Sequence, residues 1–185
     1  MADAPFLTGQ MLLAMPGMAD PRFQKAVIAM CAHTEDGAFG VGIGAPIREL
    51  RLPELLEKLD VPRDDVPDAP VFRGGPVEPA RGFVLHSKDW SGQDTVDVAG
   101  HWSLTGTLDV LKAIAEGKGP RRWAVSLGYA GWSSGQLDDE LEAHGWIALP
   151  HDEAILWGPE VGRWDRALSG AGIDPRLLSP TGGRA

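Results

Sequence analysis

The chain carries a single cysteine, Cys31, among 185 residues. No intrachain disulfide can form, which fits a reducing compartment such as the cytosol. No apolar run approaches the roughly 20 residues that span a bilayer. The opening stretch MADAPFLTGQMLLAMPG lacks both a basic n-region and an apolar core of signal-peptide length. Cationic side chains are in deficit too: 17 Lys and Arg face 26 Asp and Glu, for a formal charge of −9. That balance disfavours phosphate backbones and acidic membranes, because affinity for both rests on cationic neutralisation. The densest basic groups, Lys118 with Arg121 and Arg122 and Arg163 with Arg166, are short pairs of the kind that mark solvated helix ends or loops. Phosphate-loop patterns, internal repeats and low-complexity tracts are also missing. The expectation is a cytoplasmic protein without a membrane or nucleic-acid partner and with no cofactor indicated. An unknown protein or small molecule is left as the partner.

What is present is glycine (24) and proline (15), scattered throughout, so many short elements separated by turns are expected. A chain of this length buries roughly 70% of its unfolded surface and needs no metal or disulfide staple. Gln10 to Met15 and Ala26 to His33 read as strands, with a single turn at Asp20-Pro21. An Asp-Gly hairpin at Asp36-Gly37 leads into a strand over Phe39 to Ile43. Arg51 to Leu59 and Thr107 to Glu116 read as helices with one apolar stripe each. Asp60 to Pro70 reads as an exposed acidic loop. Strands are expected at Val71 to Arg73, Gly82 to His86, Thr95 to Val98, His101 to Leu104, Arg122 to Leu127, Trp146 to Leu149 and Ala154 to Trp157. Helices are expected over Leu137 to His144 and from Pro159, where Val161, Trp164, Ala167 and Leu168 would line up. Irregular alternation of strands and helices predicts an α+β fold. It would be a bent mixed or antiparallel sheet packed with several short helices, in a single domain over residues 1–178 with a loose tail over 179–185.

Four constellations carry potential chemistry. Gly131-Trp132-Ser133-Ser134-Gly135 spells G-x-S-x-G, the serine hydrolase elbow. Residues Gly128 to Trp132 separate the serine from the expected strand, and no acid-then-histidine pair follows in the proper order. His144 would lie about 15 Å along the next helix. Ser133 with Gln136 instead matches a capping box, followed by Asp138, Asp139 and Glu140 at the positive end of a helix. Cys31 and His33, two apart on a strand and so facing one side, would make a ligand set with His86, but the tight spacing of a metal site is missing. No residue is assigned to a metal or to catalysis.

Arg73-Gly74-Gly75-Pro76 permits close backbone approach to a ligand, with Arg73 or Arg81 to hold an anion, although turn duty explains the glycines as well. Alternation in Gly40-Val41-Gly42-Ile43-Gly44 indicates packing against another backbone. Seven tryptophans are expected mostly in core or rim positions, with Trp90 and Trp102, in polar surroundings, as candidates for an exposed surface. Arg73, Gly74, Gly75, Arg81, His86 and Trp132 are the ligand-binding candidates.

Gly9 to Pro16 followed by Asp20-Pro21-Arg22-Phe23 resembles the opening of the YqgE/AlgH family of small bacterial proteins. Phe72 to Val77, Arg81 to Ser87 and Leu127 to Leu137 resemble later blocks, in the family's order and over nearly the whole chain. Where the family usually has Asn-Lys/Arg-Pro, this chain has Gly44-Ala45-Pro46. The resemblance implies an α+β fold around a bent mixed sheet and a bacterial cytosolic location. It supplies no catalytic residues, and its transcriptional-regulator label comes from a genetic association. It therefore leaves three readings: a non-enzymatic binding or regulatory protein, a serine hydrolase using GWSSG, or a direct regulator of transcription.

Overall fold

A computed structural model describes residues 6–63 and 65–177; the expected tail over 179–185 lies outside them. Ten strands form one sheet: β1 Met11–Ala14, β2 Val27–Thr34, β3 Gly37–Gly42, β4 Pro46–Arg51, β5 Pro70–Arg73, β6 Val77–His86, β7 Val96–Val98, β8 Trp102–Thr105, β9 Trp123–Ser133 and β10 Trp146–Leu149. Five short helices accompany it: α1 Leu52–Lys58, α2 Leu108–Ala115, α3 Gln136–Glu142, α4 Glu153–Leu156 and α5 Arg163–Gly170. The strand order is β10-β1-β2-β3-β9-β6-β8-β7, with β4 and β5 branching from β9. All pairings are antiparallel except that of β5 with β9. The result is a single α+β domain with a sheet curled into a half-barrel.

The curl turns on β9. Its first half pairs with β5 and β6, as in Val71↔Val125 and Phe83↔Ser126, and its second half with β3, as in Phe39↔Gly131. Between the halves Gly128 adopts φ +79°, a left-handed conformation that L side chains resist. There the β5–β6 connection crosses the strand at backbone contact distance. A Cβ on Gly74 would overlap the Gly128 carbonyl, one on Gly75 would overlap Tyr129, and one on Gly42 would stand 2.7 Å from Arg73 O. The crossing is tied by hydrogen bonds from Gly42 N to Gly74 O (2.7 Å), Gly74 N to Leu127 O (2.7 Å) and Ser126 Oγ to Gly42 O (2.9 Å).

Three apolar clusters flank the sheet. Inside the curl, α4 and α5 contribute Leu156, Trp164, Ala167 and Leu168 against Met11, Leu13, Val41 and Trp102. On the outer face, α1 and α2 cover one half through Leu52, Leu56, Val110 and Ile114, and α3 covers the other through Leu137. The free ends of the sheet meet through side chains. His101, between β7 and β8, stacks on His151, which follows β10, with ring centroids 4.5 Å apart and planes at 11°.

Several expectations are corrected. Strand β9 runs through Gly128 to Ser133, a stretch read as loop because local glycine content resembles a turn; the neighbouring backbones demand those glycines instead. The expected strand over Ala154 to Trp157 is replaced by helix α4, Glu153–Leu156, because Asp152 Oδ1 accepts from the N–H of Ala154 (2.9 Å) and caps it. Helix α5 starts at Arg163, so Val161 lies outside it and is 79% exposed. Strand β4, Pro46–Arg51, covers a span with no expected element together with Arg51, the residue expected to open α1. Trp102 is fully buried on β8 rather than exposed. Arg163 is buried at 4% exposure rather than solvated. Its guanidinium donates to Ile43 O and to Gly158 O (2.7 Å) and lies 5.1 Å over the Phe72 ring, and burial lowers its pKa to about 10.

Because a methyl group at the crossing has only backbone to displace, Gly74→Ala and Gly128→Ala should each lose more than about 3 kcal/mol in urea unfolding. Gly100→Ala, at φ +75° with nothing within 4 Å, should lose only about 1 kcal/mol.

Candidate functional site

The glycine crossing forms the floor of a pocket of about 180 Å³. Gly42, Gly74 and Gly75 supply backbone, Val27, Ile47 and Leu127 supply apolar wall, and Arg22 and Arg73 supply charge. Gly44 and Ala45 also line it, so the departure from the family pattern places small residues at this wall. Arg22 is neutralised by Asp20, which it meets at 2.6 Å and which also caps the single helical turn Pro21–Phe23. Among the described residues no carboxylate lies within 4 Å of Arg73.

Arg22, Phe23 and Pro76 are shared with a shallower depression of about 620 Å³ that includes Trp132, Glu140, His144 and Trp146. Here Glu140 Oε2 accepts from the indole N–H groups of Trp132 (2.9 Å) and Trp146 (2.8 Å), while Oε1 accepts from Gln136 Nε2 (3.0 Å). One carboxylate thus satisfies two indoles that are nearly buried, at 7% and 4% exposure.

Of the ligand-binding candidates, Arg73, Gly74 and Gly75 share the first pocket, and Trp132 lines the adjoining one. Arg81 stands apart, paired with Glu78 at 3.3 Å and stacked 5.1 Å over Phe83. His86 is fully buried elsewhere. Its Nδ1 contacts Ser87 O at 2.8 Å, and a carbonyl only accepts, so Nδ1 carries the proton. Nε2 therefore accepts from Thr105 Oγ1 (2.8 Å), which accepts from Thr95 Oγ1 (2.8 Å), which accepts from Gly92 N (2.7 Å). A second proton on Nε2 would face a donor, and burial is the largest cause of its lowered pKa.

Residues that the sequence reading did not single out here are Arg22, Phe23 and Ile47. A signal for Phe23 was present: a large ring in a turn with no periodic apolar partner, packed edge-on against Trp146 at 5.4 Å.

Ser133 ends β9, and the N-cap of α3 is Gly135 in the left-handed conformation, so only half of the expected capping box forms. Gln136 Oε1 accepts from Ser133 N (3.0 Å), but the serine hydroxyl donates to that same oxygen (3.2 Å) instead of accepting from the helix. None of the five histidines is bonded to it among the described residues. Cys31 and His33 face opposite sides, because a register shift between Met30 and Ala32 inserts a bulge. Cys31 packs into the interior cluster, and burial raises its thiol pKa to about 12. His33 lies on the α3 side, 3.6 Å from Asp138. Among the described residues no three His, Cys, Asp or Glu side chains are placed to hold a metal.

The fold and cleft define a class: a small half-barrel domain with a glycine-floored pocket at the crossing of its two half-sheets. The chain belongs to the AlgH-like (DUF179) family, whose model matches residues 11–176. It is 57% identical over 185 residues to a UPF0301 protein of Rhizorhabdus wittichii, covering 99% of this chain and 100% of that one. A second UPF0301 protein, of Sphingopyxis alaskensis, is 51% identical over 187 residues with complete coverage of both. The solution structure of AlgH from Pseudomonas aeruginosa superposes with a TM-score of 0.78 at 38% identity, covering 100% of this chain and 99% of that one. A Corynebacterium diphtheriae protein shares the fold, with a TM-score of 0.74 at 21% identity over 97% of this chain and 94% of its own. The family is one of unknown function. No helix of the described residues is long and apolar enough to cross a membrane.

Two outcomes are expected. Glu140→Ala strands two indole donors and should cost about 2–4 kcal/mol in urea unfolding with a changed tryptophan emission, while Glu140→Gln, which keeps an acceptor, should cost less. For His86 the folded pKa is lowered, so between it and the unfolded value of about 6.5 the unfolded chain binds more protons. Stability should therefore fall as pH drops below about 6.5, by at most about 1.4 kcal/mol per pH unit from this group. Urea titrations at a series of pH values, with nitrogen NMR of the imidazole reporting the Nδ1–H tautomer, check this.

Proposed function

We propose that this protein is a non-enzymatic binding or regulatory protein of the bacterial cytosol, and that its site is the pocket over the glycine crossing. The observation that carries the reading is the convergence there of a glycine floor without side chains, a mainly apolar wall and Arg73, which has no carboxylate partner among the described residues. Convergence of a few polar groups on an apolar concavity is how small-molecule sites are generally built. Regulation in this reading works through an occupied or empty pocket, since a chain of charge −9 is poorly suited to grip DNA directly.

A hydrolase reading draws on one specific observation. Strand β9 runs unbroken into Ser133 and α3 begins three residues later, the strand–turn–helix order of a nucleophile elbow. Against it stands a hydroxyl bonded to Gln136, with no histidine bonded to it among the described residues.

Titrating the labelled full chain with neutral, anionic and cationic fragments should shift the amides of Gly42, Gly74 and Gly75 in proton–nitrogen spectra, and a fluorophosphonate probe should leave Ser133 unlabelled. A fragment set that moves none of those amides removes the binding reading. Stoichiometric labelling of Ser133 makes the protein a hydrolase.

A further inference from the structure

We infer that the pocket over the glycine crossing takes a small monocarboxylate with a compact apolar body, about the size of a benzene ring. The inference rests on the binding reading above and adds the chemical class of the ligand.

Charge is the first argument. The chain has an excess of acidic residues, yet the residues lining this pocket include two arginines and no Asp or Glu. Asp20 occupies Arg22, leaving Arg73 as the cation without a protein partner among the described residues. A local positive site in an acidic protein favours an anion there and repels one elsewhere. A single guanidinium presents a planar fork that matches one carboxylate through two parallel hydrogen bonds.

Size and polarity are the second argument. Beyond the arginines the wall is mostly apolar, with Phe23, Val27, Ile47 and Leu127 and the one amide side chain of Gln24, over a glycine floor in which Gly42 N–H and Gly74 N–H are already bonded to Gly74 O and Leu127 O. That interior offers burial with little polar recognition beyond Arg73 and Gln24. Its volume of about 180 Å³ is close to the roughly 150 Å³ of an apolar cavity that holds benzene. One unpaired arginine in the lining and one ring's worth of mainly apolar space describe an aryl or short branched acyl carboxylate. A sugar or nucleotide would need several donors and acceptors that the wall does not present.

Benzoate, benzyl alcohol and benzylamine, three probes with the same ring and different head groups, separate these claims. Each is titrated into the full chain by proton–nitrogen NMR at low and at raised salt. Benzoate should shift the amides of Gly42, Gly74 and Gly75 and bind about tenfold or more tightly than benzyl alcohol, with benzylamine the weakest. Added salt should weaken benzoate alone. Arg73→Gln should remove about tenfold of the benzoate affinity and leave benzyl alcohol unchanged. Arg73→Lys, which keeps the charge without the fork, should fall between. Arg73 is exposed, and its backbone bond to Ala45 O is kept in both variants, so both should fold. Equal affinity for the alcohol and the carboxylate would overturn the assignment of ligand class while leaving the pocket as a binding site. No response of the three glycine amides to any probe would remove the site as well.

Discussion

Where β5 gives way to β6, three stretches of backbone lie so close that no side chain can stand between them. The contact of Gly74 and Gly75 with Gly128, and of Gly42 with the carbonyl of Arg73, sets the shape of everything around it. It bends β9 at its midpoint, so that one strand serves two half-sheets. It brings β5 alongside β9 in the one parallel pairing of the sheet. It also leaves a hollow, because four positions without side chains fill less space than the strands around them enclose. Fold and candidate site thus share a single cause, and a change that relieved the crowding would alter both.

The polar interior follows a different logic. His86, Thr105 and Thr95 form a chain in which each oxygen or nitrogen faces a hydrogen from its neighbour, and the chain ends on a carbonyl. Such a network has one low-energy orientation and specifies the packing of β6 against β8 and of the loop before β7. Arg163 is the harsher case. It is a buried cation answered by two carbonyls and an aromatic face, with no carboxylate partner among the described residues. It ties α5 to the end of β3, next to the crossing.

Elements with a clear apolar period were legible in the sequence. The stripes of α1 and α2 and the buried runs of β1 and β2 appear nearly where expected. The second half of β9 was not legible, because Gly128, Gly131 and Gly135 signal a turn to any local reading, whereas the reason for Gly128 lies far upstream at Gly74 and Gly75. The four-residue run at α4 is too short for periodicity to separate helix from strand. Strand β4 carries Arg48, Glu49 and Arg51, charges typical of a sheet margin that mask a strand's alternation. Of the site, the glycine pair before Pro76 and the adjacent Arg73 could be read from local chemistry. The contribution of Arg22 could not, because it depends on how the β1–β2 connection folds, and the isolated ring of Phe23 was the one local hint of it.

The stacked pair His101 and His151 has a mechanical meaning. A closed barrel has every strand hydrogen-bonded on both sides, and prising it open breaks a whole ladder. Here the two ends of the half-barrel touch through the rings of His101, Trp102 and His151 with no strand pairing between β7 and β10, so parting them breaks no interstrand hydrogen bond. Helix α5 packs Trp164, Ala167 and Leu168 into the same apolar cluster as Trp102, the strand residue at this contact.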